Sequence, residues 1–250
     1  MIYSYNTKRN LDIDQEDPKT STIFELLLCF PDNYLWDIIY NAIMDKRELP
    51  KYVGNLCNYI FWPKWDKEGT TNSIYVEPDL FLRFNEVDII IEAKRSDNVG
   101  QDKNEWYREL RTYYNEYSAP RKVILIAVGG NKDVYREQLY INSFGSHYIY
   151  KCSWLSLLIS VQKVKSTADK KLESNIVRLC NTLVLGFRMH NVNYFLWLDS
   201  LQLKSIQKES MRNIMYYFND KASEINNFKE LSINKIQTLS FNALESFFYE

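Results

Sequence analysis

Residues 73–95, SIYVEPDLFLRFNEVDIIIEAKR, constrain the fold more than any other stretch of the chain. Two runs rich in β-branched and aromatic residues, 74–84 and 87–94, flank Asn85-Glu86, and Asn tolerates the backbone of a turn. A two-residue hairpin loop sets Phe84 opposite Val87. In that register Arg83 faces Asp88, Phe81 faces Ile90, Asp79 faces Glu92 and Glu77 faces Lys94. Side chains alternate along a strand, so these eight share one face of the ribbon. Leu80, Leu82, Phe84, Val87, Ile89, Ile91 and Ala93 occupy the other face, which is wholly apolar and is expected to be core.

Charge decides what the polar face is for. Arg83 with Asp88 and Glu77 with Lys94 are opposite charges, each pair worth about 0.2–1 kcal/mol across a sheet. Asp79 opposite Glu92 is a like-charge pair and opposes pairing. Two carboxylates held that close either share a proton or bind a cation. Oxygen-only ligands suit Mg²⁺ or Mn²⁺, which keep waters for a phosphate substrate. Lys94 projects on the same side, placed to stabilise negative charge as it develops on phosphorus. Taken one by one, each of these residues fits an ordinary solvated strand face. Taken together in register, they have the parts for metal-assisted phosphodiester hydrolysis.

Pro78-Asp79 followed by Glu92-Ala93-Lys94 resembles the PD-(D/E)XK nuclease superfamily over residues 22–164. The resemblance implies an α/β fold with a restriction-endonuclease-like core: a helix, a mixed central sheet containing the antiparallel hairpin, and flanking helices. It implies Mg²⁺- or Mn²⁺-dependent cleavage of DNA, with Asp79 and Glu92 as metal ligands and Lys94 as the catalytic lysine. In the resembled family a glutamate on the first helix often completes the metal site, and Glu25 is the candidate. A glutamine beginning the helix after the motif often orients backbone or substrate, and Gln101 occupies that place. The closest likeness is to effector nucleases of prokaryotic antiviral defence and restriction systems, which partner subunits commonly restrain. The competing reading is a catalytically inactive nuclease-like scaffold subunit. An intact Asp79, Glu92 and Lys94 argues for the enzyme, because an inactive relative has no use for a repulsive pair.

Composition limits how such a nuclease holds its substrate. The formal net charge is −1, too low to coat nucleic acid, so a local basic patch, a metal or a partner is required. Cys29, Cys57, Cys152 and Cys180 are dispersed and, with His147 and His190, supply neither a usual zinc spacing nor a disulfide framework. Residues 1–17 are polar and acidic rather than a signal peptide, and no apolar run approaches a membrane span. A cytoplasmic protein without membrane contact is expected.

In chain order, residues 1–19 read as a polar lead-in. Thr22 and Glu25 have capping-box spacing at the start of a helix. Residues 34–45 place Leu35, Ile38, Ile39, Ala42 and Ile43 on one helical face. The aromatic segment 59–65 lies between proline-marked loops and reads as core, with stacking on substrate beside the active cleft as the alternative. Residues 101–117 place Trp106, Leu110, Tyr113, Tyr114 and Tyr117 at helical spacing toward the sheet. Residues 121–128 are a nearly continuous apolar run, expected as a central strand ended by Gly129-Gly130. A short helix is expected over 132–140, a strand over 147–151 and a helix over 154–164. The nuclease-like domain then closes at position 165. Residues 166–250 form a helical region, with an amphipathic helix over 170–187 and others over 192–208, 209–217 and 233–248. This region is expected to bind a partner subunit or to make homo-oligomers.

Overall fold

The computed structural model describes residues 2–193 apart from 10, 11, 72, 73, 99 and 118–120. Two short elements set the entry: helix α1 (Ile2–Asn6) and helix α2 (Glu16–Leu27). Helix α3 (Asp32–Ala42) follows, then strands β1 (Leu56–Phe61), β2 (Trp65–Asp66), β3 (Tyr75–Val76), β4 (Leu80–Phe84) and β5 (Val87–Ala93). Helix α4 (Lys103–Glu116), strands β6 (Lys122–Val128), β7 (Glu137–Ile141) and β8 (Gly145–Cys152), and helices α5 (Trp154–Lys170) and α6 (Ser174–Met189) complete the described chain. Among the described residues no helix is long and apolar enough to cross a membrane.

The architecture is mixed α/β. Six strands form one sheet in the order β1-β4-β5-β6-β8-β7, and β2 pairs with β3 in a separate antiparallel ribbon. Strands β4 and β5 pair antiparallel with Leu80 opposite Ile91, Phe81 opposite Ile90, Leu82 opposite Ile89 and Arg83 opposite Asp88, the register expected from the hairpin. Strands β5, β6 and β8 run parallel. Strands β5 and β6 are buried on both faces, which is why 123–128 is apolar without alternation, after an exposed Lys122.

Helices cover both faces of the sheet. Leu80, Leu82, Phe84, Ile89 and Ile91 face a core shared with Phe24 of α2, Ile38 of α3, Trp154 of α5 and Phe187 of α6. Phe81 and Ile90 pack under Trp106, Leu110 and Tyr113 of α4. The face expected to be polar is therefore a second core roofed by α4. Asp88 is fully buried there, gripped by Arg83 Nε and Nη2 at 3.1 and 2.8 Å and by the Tyr113 hydroxyl at 2.8 Å.

Four expectations change. Helix α2 starts at Glu16, so residues 16–19 are not lead-in. Acidic Glu16 and Asp17 in the first turn, followed by Pro18, are favourable at a helix start. The Thr22 capping box does not form, because Thr22 lies inside α2 and its hydroxyl donates to Pro18 O at 2.7 Å. The helix expected over 132–140 is replaced by a loop and edge strand β7, whose burial alternates with the period of two. Position 165 falls inside α5, and Cys180, Leu183 and Phe187 of α6 are fully buried in the main core. The chain divides after Phe195 instead. Apart from residues 192 and 193, the helices expected over 192–208, 209–217 and 233–248 lie outside the described residues.

Candidate active site

The hairpin and α4 bring the acidic residues together. Asp79 ends the turn before β4. Its Oδ2 accepts from the Ala93 amide at 2.8 Å and its Oδ1 from the Trp62 indole at 3.2 Å. Glu92 lies on β5 opposite the small Ala127 of β6. Lys94 Nζ sits 2.6 Å from Glu92 Oε1 and 2.8 Å from Glu105 Oε2. Glu109, one turn after Glu105 on α4, lies beside Glu92, and its Oε2 is buried with no hydrogen-bond partner. Glu16 closes the α2 side, its Oε2 accepting from the Arg95 amide at 2.7 Å. Glu77, expected opposite Lys94, pairs instead with Arg9. Asp79 to Val76 has already left the sheet there, and β3 pairs with β2.

The strand ends beneath this cluster are held through the main chain. Lys94 N–H donates to Val128 O at 2.8 Å, and Lys94 O accepts from the Trp154 indole at 2.7 Å. Lys19 Nζ donates to Arg95 O at 2.9 Å. Gly129 has a φ of +70°, and a Cβ there would stand 2.8 Å from Trp154 Nε1 and 2.9 Å from Lys94 O, so only glycine fits. Gln101 precedes α4. Its amide nitrogen donates to Gly129 O at 2.9 Å and its carbonyl accepts from the Trp106 indole at 3.0 Å. Its contacts in this structure orient backbone and register α4 on the ends of β5 and β6.

Burial sets the electrostatics. Asp79 and Glu109 are both pushed well above the usual carboxylate range, first by burial and then by the charge of Glu92. Glu92 is raised by burial, with Glu109 and Lys94 pulling against the rise. Burial pulls Lys94 down, yet Glu92 and Glu105 outweigh it and hold the amine as an ammonium. A carboxyl raised in the folded state keeps a proton that the unfolded chain has already lost. Its contribution therefore falls as pH rises above the ordinary carboxylate value. His147 and His190, both lowered by burial, act oppositely as pH falls below about 6.5. Comparing variants removes the histidine effect. In metal-free buffer, Glu109→Gln should match wild type at pH 4.5 and exceed it increasingly toward pH 8 in urea melts. A constant difference between the two proteins across that range would refute the assignment.

Glu25 is not part of this cluster. Its Oε1 accepts from the Tyr3 amide at 2.7 Å and from the Ser21 hydroxyl, and its Oε2 accepts from the Ile2 amide at 3.0 Å. It caps the orphan amides of α1. Helix α2 spaces Glu16 and Glu25 nine residues apart, and only Glu16 reaches the β5 end. Sequence reasoning misses Glu16 because residues 1–19 read as a polar lead-in, although Glu-Asp-Pro marks a helix start. It also misses Glu109, which is legible: Trp106, Glu109, Leu110 and Tyr113 fall at i, i+3, i+4 and i+7. A carboxylate in a buried stripe needs a reason.

The donors suit a hard divalent cation. Asp79 and Glu92 supply two neighbouring buried carboxylates, and Glu109 Oε2 is a buried oxygen without a hydrogen-bond partner. Among the described residues no three Asp, Glu, His or Cys side chains converge as a metal cage. Asp79 and Glu92 are therefore the residues that would hold such an ion.

A relative described as "Uncharacterized protein PM0110", from Pasteurella multocida (strain Pm70), is 30% identical over 207 residues, which is 76% of each chain. No family model matches the sequence. Among solved structures, the small subunit (R.BspD6I2) of the heterodimeric restriction endonuclease R.BspD6I covers 70% of this chain and 99% of its own. Its identity is 10% and its TM-score 0.26, too low to carry an argument.

Proposed function

We propose that this chain, which belongs to the same family as PM0110 of Pasteurella multocida, is a metal-dependent endonuclease hydrolysing phosphodiester bonds in DNA. The observation that carries the reading is the buried pair Asp79 and Glu92 with the Lys94 ammonium 2.6 Å from Glu92. Asp79 and Glu92 would hold Mg²⁺ or Mn²⁺, and Glu16 takes the first-helix place expected for Glu25. The bound ion supplies Lewis acidity and a water acidified toward neutral pH. The protein's own groups do the rest. Trp62 and the Ala93 amide fix the Asp79 carboxylate, and the Trp154 indole fixes the main chain of Lys94. Lys94 stays protonated, so its part is to stabilise charge on the phosphate in the transition state and not to act as a base. Assembly with a partner subunit or a second copy, and a place in antiviral defence or restriction, belong to the same proposal.

The test is the purified full chain with linear and supercoiled DNA, with and without Mg²⁺ or Mn²⁺. Cleavage that requires the metal supports the reading, and cleavage that persists in chelator overturns it. Silence on both DNA forms with both metals overturns the assignment of activity to this chain alone and favours the scaffold reading. The two helix-α2 glutamates give a sharper check. Glu16→Gln should lower cleavage by about 10–100-fold, whereas Glu25→Gln should leave the rate unchanged and weaken only the docking of α1. Equal losses for both would refute the reassignment.

A further inference from the structure

Lys94 is held by two carboxylates of different standing. Glu92 Oε1 lies 2.6 Å from Nζ and comes from the floor of the site, with its side chain only 8% exposed. Glu105 Oε2 lies 2.8 Å from the same nitrogen and is itself buried, while the Glu105 side chain, on the first turn of α4, is 34% exposed, at the lip. The Glu105 contact is an ion pair without hydrogen-bond alignment. Its element is well anchored. The Asp102 side chain caps α4 by accepting from the Asn104 amide at 2.9 Å, and Gln101 ties Trp106 to Gly129 O. Glu105 is thus fixed beside Lys94 independently of Glu92.

This matters because Glu92 has two claims on it. If it serves a divalent cation, as the function proposed above requires, that ion draws on the same negative charge that holds Lys94 through Oε1, and the ion pair weakens. An ammonium left only 12% exposed without a counterion would be costly and would tend to stay on Glu92. We propose that Glu105 is a positioning residue: its carboxylate keeps the Lys94 ammonium in place while Glu92 is released to a divalent cation. The inference rests on the metal-dependent reading of Asp79 and Glu92, and it adds a residue that touches neither cation nor substrate.

The experiment is thermal melting of the full chain against Mg²⁺ concentration, which needs no DNA and no activity. Four proteins are compared: wild type, Glu105→Gln, Lys94→Met and the double variant Lys94→Met/Glu105→Gln. Glu105→Gln should need about tenfold more Mg²⁺ than wild type for the same rise in Tm, because Lys94 then competes for Glu92. Lys94→Met and the double variant should need no more Mg²⁺ than wild type and should match each other, since no ammonium remains to be held. A simple field effect of the Glu105 charge predicts instead that the double variant is weaker than Lys94→Met by the same tenfold, and that result overturns the proposal. So does a Glu105→Gln titration that overlays wild type. A wild-type Tm that ignores Mg²⁺ overturns the metal reading itself, a different and recognisable outcome.

Discussion

Asp79→Asn should lower metal-dependent DNA cleavage by more than the 10–100-fold typical of losing an outer-shell partner, because it neutralises one of the two carboxylates offered to the ion. The substitution keeps the shape of the side chain and removes a carboxyl that burial, Glu92 and Glu16 push well above the usual carboxylate range. That removal alone would stabilise the apo fold. The structure adds an opposing cost. Both Asp79 oxygens accept hydrogen bonds, one from the Trp62 indole and one from the Ala93 amide, and an asparagine nitrogen can accept neither. Losing one such bond costs about 1–3 kcal/mol. The two effects offset, so the metal-free stability of Asp79→Asn should lie within about 1 kcal/mol of wild type in urea melts. The Mg²⁺-dependent rise in Tm should shrink or vanish. An Asp79→Asn protein that cuts at the wild-type rate would sink the mechanism. Undiminished stabilisation by Mg²⁺ would sink the ligand assignment while leaving Asp79 free for another role.

Lys94→Met should also remove cleavage, by about 10²–10³-fold, the loss usual when a preorganised charge aimed at the transition state is deleted. Its metal response should differ from that of Asp79→Asn. Lys94 is not a ligand and its ammonium occupies Glu92, so its removal should leave Mg²⁺ stabilisation intact or stronger. The pair of variants therefore separates two ways of losing activity, one with the metal response lost and one with it kept. The relevant measurement is a single-turnover cleavage assay run beside a Mg²⁺ melting series on the same preparations. Should Lys94→Met retain the wild-type single-turnover rate, the electrostatic role given to the ammonium is wrong, whatever the metal does.

Local pattern determined much of the molecule. The pairing of β4 with β5 follows from the spacing of two apolar runs around Asn85-Glu86, because a period of two and a two-residue loop fix a register without reference to distant residues. The α4 stripe and the apolar β6 run were legible for the same reason. What the sequence could not decide was non-local. Glu16 and Glu25 both lie on α2, and which one meets the β5 end depends on where that helix begins and how it packs on the sheet. Glu25 instead caps α1, a contact between segments 22–23 residues apart that no periodicity encodes. Strand β7 was hidden because an edge strand alternates only weakly until β8 lies beside it. The boundary at position 165 failed because an amphipathic stripe shows that α6 buries a face and not what it buries it against. Likewise the hairpin register predicts Asp79 opposite Glu92, whereas the observed pairing stops at Leu80 with Ile91, and the depth at which the two carboxylates lie was set by α4. Its roof over that face of the sheet turns a pair of strand carboxylates into a buried cluster with shifted protonation, since the penalty on a charge depends on everything packed around it.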